Sequence, residues 1–468
     1  MSRYIHATSI CRRNAPARFC AAAIVFLLAS GATRAQAQEI ETGARHQRAK
    51  AGGGSHRNKH KPTSGADPFW DLNGTTAGSG GTGGTAPSGT WSTSLANWNP
   101  VGAGTSATAV WNNGDAAVFS AGSNATGSYT VNVSGSITAS TITFEEGTVT
   151  LGGISTPALT ISGAGGVTIN STINGTTTFA SSLGTVVLSD NVDSAWTNNS
   201  SQDFVVASGV KIGDKGTLIL GGSGSGTISG IISQVNSSGS HQGALVKTGA
   251  GNFTLTGANT YGGGTNGTTV NNGTLFVNNT TGSGTGTGAV TVNNTGTLGG
   301  SGTITGAVTV SGSTAAINAG ATAGAVGTLN INNGALTALT LTSSKFIVDM
   351  TATTADQLNI TGLVSLSAAT LQLSIANGTT FAAGQQFTLI NNDVVDAITG
   401  TFSNAPTGID TIGGYLWVVS YTGGTGNDFV LTAVPEPSTW FAGGLALAAL
   451  IYSQRRRMRS AIRRSPRA

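Results

Sequence analysis

From about Phe69 onward, apolar and polar residues alternate in short triplets that are separated by Gly and Asn. Alternation with a period of two places the outer pair of each triplet on one face of a strand and the middle residue on the other. The pattern therefore predicts many very short β-strands. Examples are Val149-Thr150-Leu151, Val167-Thr168-Ile169, Phe253-Thr254-Leu255, Val290-Thr291-Val292, Val308-Thr309-Val310 and Leu329-Asn330-Ile331.

The spacing of these triplets suggests a repeat. The segment 288–292 (GAVTV) recurs 18 residues later at 306–310, and 327–331 (GTLNI) follows after another 21. The Asn pairs that begin at Asn271, Asn293 and Asn332 lie 22 and 39 residues apart, and the second step is close to two turns. A unit of about 20 residues is too short to bury a core alone, so it indicates a solenoid. We predict an all-β, right-handed parallel β-helix of roughly 15 turns and about 70 Å.

The N-terminus has the three zones of a secretory signal peptide, over residues 1–37. A basic stretch precedes an apolar run from Phe19 to Ala32, and the segment ends on Ala35-Gln36-Ala37. An apolar run of this length enters the translocon but spans a bilayer poorly, and small residues favour cleavage. We predict cleavage between Ala37 and Gln38. An uncut N-terminal anchor is the alternative.

The C-terminus ends on a second export-related pattern, over residues 433–460. Pro435-Glu436-Pro437 precedes an apolar stretch, 438–454, and a cluster that begins with Arg455, Arg456 and Arg457. About 17 residues at roughly 1.5 Å each span some 26 Å, near the lower limit for a membrane helix. We predict a single transmembrane helix whose Arg cluster, 455–459, stops transfer and stays inside. A basic tail, 461–468, follows.

This order of motif, apolar helix and Arg cluster resembles the PEP-CTERM sorting signal of Gram-negative bacteria. The resemblance implies that Pro435, Glu436 and Pro437 are recognised by an exosortase-like transpeptidase that releases the passenger to the cell surface or extracellular matrix. It also implies a precursor that is held transiently in the inner membrane, after the Sec translocon and signal peptidase have acted. A plain single-pass anchor is the alternative.

Between the ends lie three predicted regions. Residues 38–66 are polar, basic and without apolar periodicity, which predicts a disordered linker. Residues 67–120 contain four tryptophans and predict an N-terminal cap in which the rings pack instead of stacking on carbohydrate. Residues 121–432 form the predicted β-helix passenger, whose repeats are clearest at 247–340. The tryptophans are Trp70, Trp91, Trp98 and Trp111.

The segments 247–261 (KTGAGNFTLTGANTY) and 269–275 (TVNNGTL) resemble the autotransporter-associated β-strand repeat. The resemblance is close there and diffuse over about 140–340, and it implies a surface β-helix. Unlike true autotransporters, the chain lacks a long C-terminal run of amphipathic strands, so self-transport is in doubt.

Charge and composition exclude several classes of function. The formal charge is +4, but residues 62–454 hold four lysines against sixteen acidic residues, about −12. Nucleic acid is a poor partner for such a surface, because phosphate binding needs clustered Arg and Lys. The two cysteines, Cys11 and Cys20, lie in the predicted signal peptide. We therefore expect neither disulfides nor Cys-ligated metal in the mature protein, and no cofactor.

A β-helix can be an enzyme, and polysaccharide lyases and hydrolases of this shape need basic residues or paired carboxylates. No Arg lies between 62 and 454, and three close carboxylate pairs are interpreted as turn residues. Catalytic residues are not predicted. The pairs are Asp190/Asp193, Asp393/Asp396 and Glu145/Glu146.

One motif suggests a metal. Residues 423–431 (GGTGNDFVL) fit a calcium-binding nonapeptide, but calcium is held by successive copies, so Asp428 is a weak candidate and a plain turn is preferred. No metal site is predicted.

The sequence favours a structural or adhesive surface protein, with exopolysaccharide as a candidate partner. A polysaccharide-binding or polysaccharide-degrading β-helix is the alternative. Binding of ice or mineral ranks low, because it requires regular outward Thr rows and the many Thr residues show no strict register.

Overall fold

The computed structural model describes residues 67–80, 85–236, 242–263, 266–393, 396–434 and 437–462, all within the compact unit Lys61–Ala468. The predicted signal peptide and linker, with Ala35, Ala37 and Gln38, lie outside the described residues, as do Pro435 and Glu436.

The described residues form strands, one 3-10 helix at Ser181–Leu183 and one α-helix, α1, at Pro437–Ile462. The strands are β1 Phe69–Trp70, β2 Gly89–Trp91, β3 Trp98–Asn99, β4 Ala117–Phe119, β5 Ser128–Phe144, β6 Thr148–Ile169, β7 Thr177–Phe179, β8 Thr185–Leu188, β9 Asp193–Asn198, β10 Phe204–Val206, β11 Gly209–Ile212, β12 Thr217–Gly221, β13 Gly226–Ile228, β14 Ile232–Gln234, β15 Ala244–Lys247, β16 Phe253–Leu255, β17 Thr268–Val277, β18 Val290–Gly300, β19 Thr303–Ile304, β20 Val308–Ser311, β21 Ala316–Ala319, β22 Thr328–Thr342, β23 Lys345–Met350, β24 Gln357–Ser367, β25 Thr370–Ile375, β26 Gln386–Asn392, β27 Gly408–Ile412, β28 Tyr415–Gly423 and β29 Asp428–Ala433.

Most of these strands pair in parallel with a strand one turn further along the chain, which makes the fold a parallel β-solenoid. Ten successive pairings lead from Thr130 to Gln372. The predicted all-β parallel solenoid is confirmed. The predicted repeat is too short and the predicted number of turns is too high, since the solenoid has about ten turns and its connecting loops vary in length.

The strand register confirms one predicted repeat step and corrects two others. Val290 pairs with Val308, as the recurrence of GAVTV predicts. The next partner of Val308 is Leu339, not Leu329. Leu329-Asn330-Ile331 lies on a different side of the solenoid, where Ile331 pairs with Ile304. The Asn332–Asn333 pair is therefore not two turns beyond Asn293.

Inward side chains form continuous apolar ladders along the core. One ladder runs through five successive turns, and each member is at most 5% exposed. Each turn thus buries its apolar residues against those of the next, as the triplet pattern predicts. The ladder consists of Val270, Val292, Val310, Leu341 and Leu366.

The N-terminal end of the core is filled by tryptophan rings. Trp91 has ring-centroid distances of 5.0 Å to Trp98 and 4.9 Å to Trp111, and Trp98 lies 5.3 Å from Trp70. All four rings are at most 2% exposed, so the interpretation as packing is confirmed. Phe119 continues the cluster toward the first turns.

The C-terminal end departs from the predicted parallel β-helix. β26 still pairs in parallel with β24, but β29 pairs antiparallel with β26 and β28, and β27 pairs antiparallel with β28. Aromatic residues of this antiparallel unit cover the last turn, with Phe402 lying 5.1 Å from Phe429 between ring centroids. The unit satisfies backbone groups that the last parallel strand would otherwise leave open.

The predicted C-terminal helix is present as α1, which includes the whole of 438–454 and the Arg cluster 455–459. None of the helices in the described part of the chain is both long enough and apolar enough to cross a membrane. The predicted transmembrane role of 438–454 stays unconfirmed.

Candidate functional site: a pocket and a ladder face on the solenoid

A pocket opens on the outer side of one sheet, beside a column of outward residues that includes an aromatic ring. Phe276 pairs with Gly299, and Gly299 pairs with Asn318, so these residues stand in one outward column. A Cβ on Gly299 would lie only 2.9 Å from the Phe276 ring. The Phe276 ring therefore packs against Gly299, and a larger side chain at this position would displace the ring.

The loop of residues 320–327 forms one wall of this pocket. Gly320 donates its backbone N–H to Gly300 O at 2.9 Å, and Asn278 Nδ2 donates to Ala321 O at 2.8 Å. The pocket is open to solvent and has a volume of about 200 Å³. The lining is Thr274, Phe276, Thr297, Asn318, Ala323, Gly324, Ile347 and Asp349.

Two carboxylates share one amide at the inner side of the pocket. Asn318 Nδ2 donates to Asp349 Oδ2 at 3.0 Å and to Asp356 Oδ2 at 3.4 Å. Asp349 lines the pocket and is 7% exposed, whereas Asp356 is fully buried behind it. The backbone N–H groups of Gly327 and Asp349 donate to Asp356 at 2.8 and 2.9 Å. All these donors are neutral.

The pKa of Asp356 is raised to about 7, mainly by burial; the two backbone N–H donors oppose the rise, and the nearby charge of Asp349 adds to it. A carboxyl with this pKa is partly protonated near neutral pH. Asp356 accepts a hydrogen bond from Gly327, which is the last residue of the loop. The charge of Asp356 is therefore coupled to the loop that forms the pocket wall.

A second outward surface carries two parallel ladders of uncharged polar side chains over five successive turns. We call these ten residues the ladder face. The ladders are Thr269, Thr291, Thr309, Thr340 and Ser365, and beside them Asn271, Asn293, Ser311, Thr342 and Ser367.

The ladder face corrects the expectation that the Thr residues lack a strict register. Strand pairing repeats the groups about every 4.8 Å along the solenoid, and alternate residues lie about 6.7 Å apart along each strand. Asn293 Nδ2 donates to Asn271 Oδ1 at 3.3 Å, which fixes neighbouring amides against each other. Unequal steps between Thr291, Thr309 and Thr340 hide this register in the sequence.

Lys247, the lysine of the repeat-like segment 247–261, has a structural role in the core. It stands in an inward ladder between Leu220 and Val270, and its side chain is fully buried. Its Nζ donates to the backbone carbonyls of Gly249 and, at 3.1 Å, Asn272. Burial lowers the pKa of Lys247 to about 8. The residue closes a corner of the solenoid and does not face either outer site.

Asp428, the weak calcium candidate, is the first residue of β29 and follows a tight turn. Its Oδ1 accepts the backbone N–H of Asn392 at 2.9 Å, and its Oδ2 accepts that of Thr425 at 2.9 Å. Both oxygens thus hold the turn and the neighbouring strand. No group of three or more His, Cys, Asp or Glu side chains with metal-binding geometry occurs within the described ranges.

The predicted sorting residues that the structure describes lie in α1. Pro437 is its first residue, and Arg455, Arg456 and Arg457 lie in its second half. They are separate in sequence from every residue of the pocket and the ladder face.

The three carboxylate pairs weighed as catalytic candidates also lie outside the pocket. Asp190 Oδ1 accepts the backbone N–H of Asp214 at 2.8 Å, and Asp393 Oδ2 accepts that of Gly362 at 2.9 Å. Glu146 Oε1 accepts the Ser120 hydroxyl at 2.9 Å. Each pair has a member that holds a neighbouring turn or strand.

Sequence reasoning missed the pocket residues, although two carry a local signal. Phe276 takes the middle position of a triplet where Thr or Asn is usual, and Asp349 interrupts an apolar run from Phe346 to Met350. Asn318 has no such signal, since it lies 31 residues before Asp349. Its role follows only from the strand register.

The comparisons with known proteins agree with the architecture. No protein-family model matches the chain. The BmaC autotransporter adhesin of Brucella suis biovar 1 (strain 1330) is 40% identical over 121 residues, which are 24% of this chain. The match spans 3% of that adhesin's length. The similarity and the parallel β-solenoid together fit an autotransporter-like passenger.

Proposed function

We propose that this protein is an exported, adhesin-type surface protein that binds a neutral or basic polysaccharide without transforming it. The ladder face carries this proposal, because it presents ten uncharged hydroxyl and amide groups in two adjacent columns. The similarity to a surface adhesin supports the cellular location.

The chemistry of the ladder face suits a sugar chain. Ser and Thr hydroxyls and Asn amides both donate and accept hydrogen bonds, as sugar hydroxyls do. A polymer lying along the solenoid would meet the same groups about every 4.8 Å. The acidic balance of residues 62–454 disfavours anionic polymers and nucleic acid.

The route of export belongs to the same proposal. Cleavage after Ala37 by signal peptidase follows passage through the Sec translocon, and an exosortase-like transpeptidase acts at Pro435-Glu436-Pro437. The C-terminal segment holds the precursor transiently in the inner membrane, with Arg455, Arg456 and Arg457 as the stop-transfer cluster. Mass spectrometry of surface material tests this route. An intact C-terminal Arg cluster there would contradict it.

Retention on immobilised polysaccharides tests the binding function. In the full chain, Thr291→Val with Thr309→Val removes two ladder hydroxyls but keeps β-branched shape. Thr138→Val with Thr160→Val is the matched control, because these two outward residues pair in a column that includes neither the ladder face nor the pocket. We expect the ladder variant to weaken binding about tenfold and the control to bind normally. Equal retention of both variants would overturn the role of the ladder face.

The same face presents one row of four outward Thr residues, and outward Thr rows are the feature that binding of ice or a mineral requires. Growth of ice or mineral crystals in the presence of the protein separates this second candidate from the first. Binding of ice or a mineral would be favoured if the parent protein inhibits crystal growth, the ladder variant does not, and the parent protein is not retained on polysaccharides.

Catalysis on the polysaccharide is the remaining alternative, and the Asp349–Asp356 pair is the observation that bears on it. Two carboxyl groups with different environments are the usual arrangement in glycosidases. Asp356, however, is fully buried and accepts two backbone N–H groups, so it cannot reach a sugar in the pocket. Release of new reducing ends that Asp349→Asn abolishes would overturn the non-catalytic proposal.

A further inference from the structure

The pocket combines an aromatic wall with a negative inner side. Phe276 occupies an outward column in which its neighbours are Thr254 and Gly299, and its ring lines the cavity. Asp349 lines the same cavity while being 93% buried, as its 7% exposure shows. An aromatic face beside a carboxylate is the arrangement that binds ammonium groups.

The negative charge of the pocket has no cationic counterpart among the described groups that contact it. Asp349 and Asp356 receive hydrogen bonds from the Asn318 amide and from backbone N–H groups, all of which are neutral. Lys345 is on the same strand as Asp349, but the two residues are four positions apart, which corresponds to about 13 Å along the strand. Buried carboxylates without a cation favour a positively charged ligand.

The size and remaining groups of the pocket restrict that ligand further. A volume of about 200 Å³ has room for one sugar ring but not for a folded partner. Thr297 and Asn318 add a hydroxyl and an amide at the wall. A ligand with an amine, an apolar ring face and hydroxyl groups would find a matching group on each side of the pocket.

We propose that this pocket binds a hexosamine unit with a free, protonated amine, as found in a partly deacetylated amino-sugar polymer. The amine lies at Asp349, the apolar face of the sugar lies on Phe276, and the sugar hydroxyls meet Thr297 and Asn318. The inference rests on the proposed function, since it names the sugar class within the polysaccharide that the ladder face contacts.

Calorimetric titration of the full chain tests this proposal with four probes. These are a glucosamine oligomer, its N-acetylated form, a glucose oligomer of equal length and trilysine. We expect the glucosamine oligomer to bind at least about tenfold more tightly than the two uncharged oligomers, because the amine makes a charge-assisted hydrogen bond. Equal binding of the acetylated form, or tighter binding of trilysine, would overturn the assignment.

Two variants locate the binding in the pocket. Asp349→Asn removes the charge, and Ala323→Trp fills the mouth from an exposed loop position whose substitution leaves the core untouched. Both are expected to weaken glucosamine binding at least about tenfold. The loop variant keeps the test decisive if Asp349→Asn does not fold. Unchanged binding by the loop variant would place the amine elsewhere and overturn the proposal.

The ladder variant separates this inference from the proposed function. Thr291→Val with Thr309→Val is expected to lose polymer retention and to keep selectivity for the glucosamine oligomer. If the ladder variant loses polymer retention but the parent protein does not prefer the glucosamine oligomer, only the proposed pocket ligand is refuted. If the parent protein prefers the glucosamine oligomer but the ladder variant retains the polymer normally, only the proposed function of the ladder face is refuted.

Discussion

The backbone N–H of Gly327 donates a hydrogen bond to Asp356 Oδ1 at 2.8 Å, and this contact joins the end of the pocket loop to a fully buried carboxyl. The same carboxyl accepts the backbone N–H of Asp349. Asp356 thus determines where the loop ends and where the pocket carboxylate stands.

Replacing Asp356 by Ala is expected to lower the free energy of unfolding by about 2–4 kcal/mol, because one buried and one half-buried backbone donor lose their acceptor. Urea unfolding followed by circular dichroism measures the change. Asp193→Ala is the control, since Asp193 is exposed at the start of β9, and a change within about 0.5 kcal/mol is expected there. A similar small change in Asp356→Ala would contradict the anchoring role.

The charge of Asp356 also predicts how stability depends on pH. Its folded pKa of about 7 lies above the ordinary value of 3.8, so the folded state retains a proton that the unfolded state has lost. The contribution to stability is complete below about pH 4 and is lost as the pH rises toward 7. Urea midpoints from pH 4 to 7.5 measure this decline. Asp356→Ala should decline less over the same range, and an equal slope in both proteins would refute the assignment.

Lys247 predicts the opposite slope in a different range of pH. Its folded pKa of about 8 lies below the ordinary 10.5, so the unfolded state binds the proton more tightly. Stability should therefore rise as the pH increases from about 8 to 9.5, before tyrosines ionise. Lys247→Met keeps the buried stem without the charge, and its urea midpoint should stay flat in this interval. A rise in the variant as steep as in the parent protein would show that other groups cause it.

Much of the fold could be predicted from the sequence because strand triplets and short turns are local features. The step from Val290 to Val308 is visible, because the segment GAVTV recurs after only 18 residues. The step from Val308 to Leu339 is hidden, because the chain between them includes a triplet from another side of the solenoid. The alternating pattern around Val430 likewise cannot distinguish parallel from antiparallel pairing, so the final antiparallel unit was not predicted.

The candidate site was less predictable than the fold, because its residues meet only through the register. Phe276 lies between Leu275 and Val277, and three consecutive apolar residues suggest a buried strand. The pocket beside Phe276 depends on Gly299 one turn later and on Asn318 two turns later. No local pattern connects these positions.

Two glycines, Gly300 near the pocket and Gly378 far from it in the chain, should differ in how much stability the protein loses when each is replaced by alanine. Gly300 has a φ of +129°, and a Cβ there would lie 2.1 Å from Val277 O, so the strand must shift. Gly378 also has a positive φ, +83°, but nothing lies within 4 Å of its Cβ position. We expect a loss of about 1–2 kcal/mol for Gly378→Ala and clearly more for Gly300→Ala. Equal urea midpoints of the two variants would contradict the steric argument.

Trp91 and Trp417 provide a matched test of how far each end stabilises the solenoid. Both rings are fully buried, Trp91 among the N-terminal tryptophans and Trp417 at 4.9 Å from Phe381 between ring centroids. Truncation of either ring to Ala should cost about 3–5 kcal/mol locally. Because each turn contacts mainly its neighbours, the loss should fade along the axis.

Hydrogen exchange with mass spectrometry measures that gradient. Trp91→Ala should lose amide protection mostly in β2–β5, and Trp417→Ala mostly in β26–β29, while strands near the middle such as β16 keep theirs. Fully local losses of this kind would mean that the ends fray independently. Uniform loss along all strands in either variant would instead show that the solenoid unfolds as one cooperative unit, contrary to the nearest-neighbour argument.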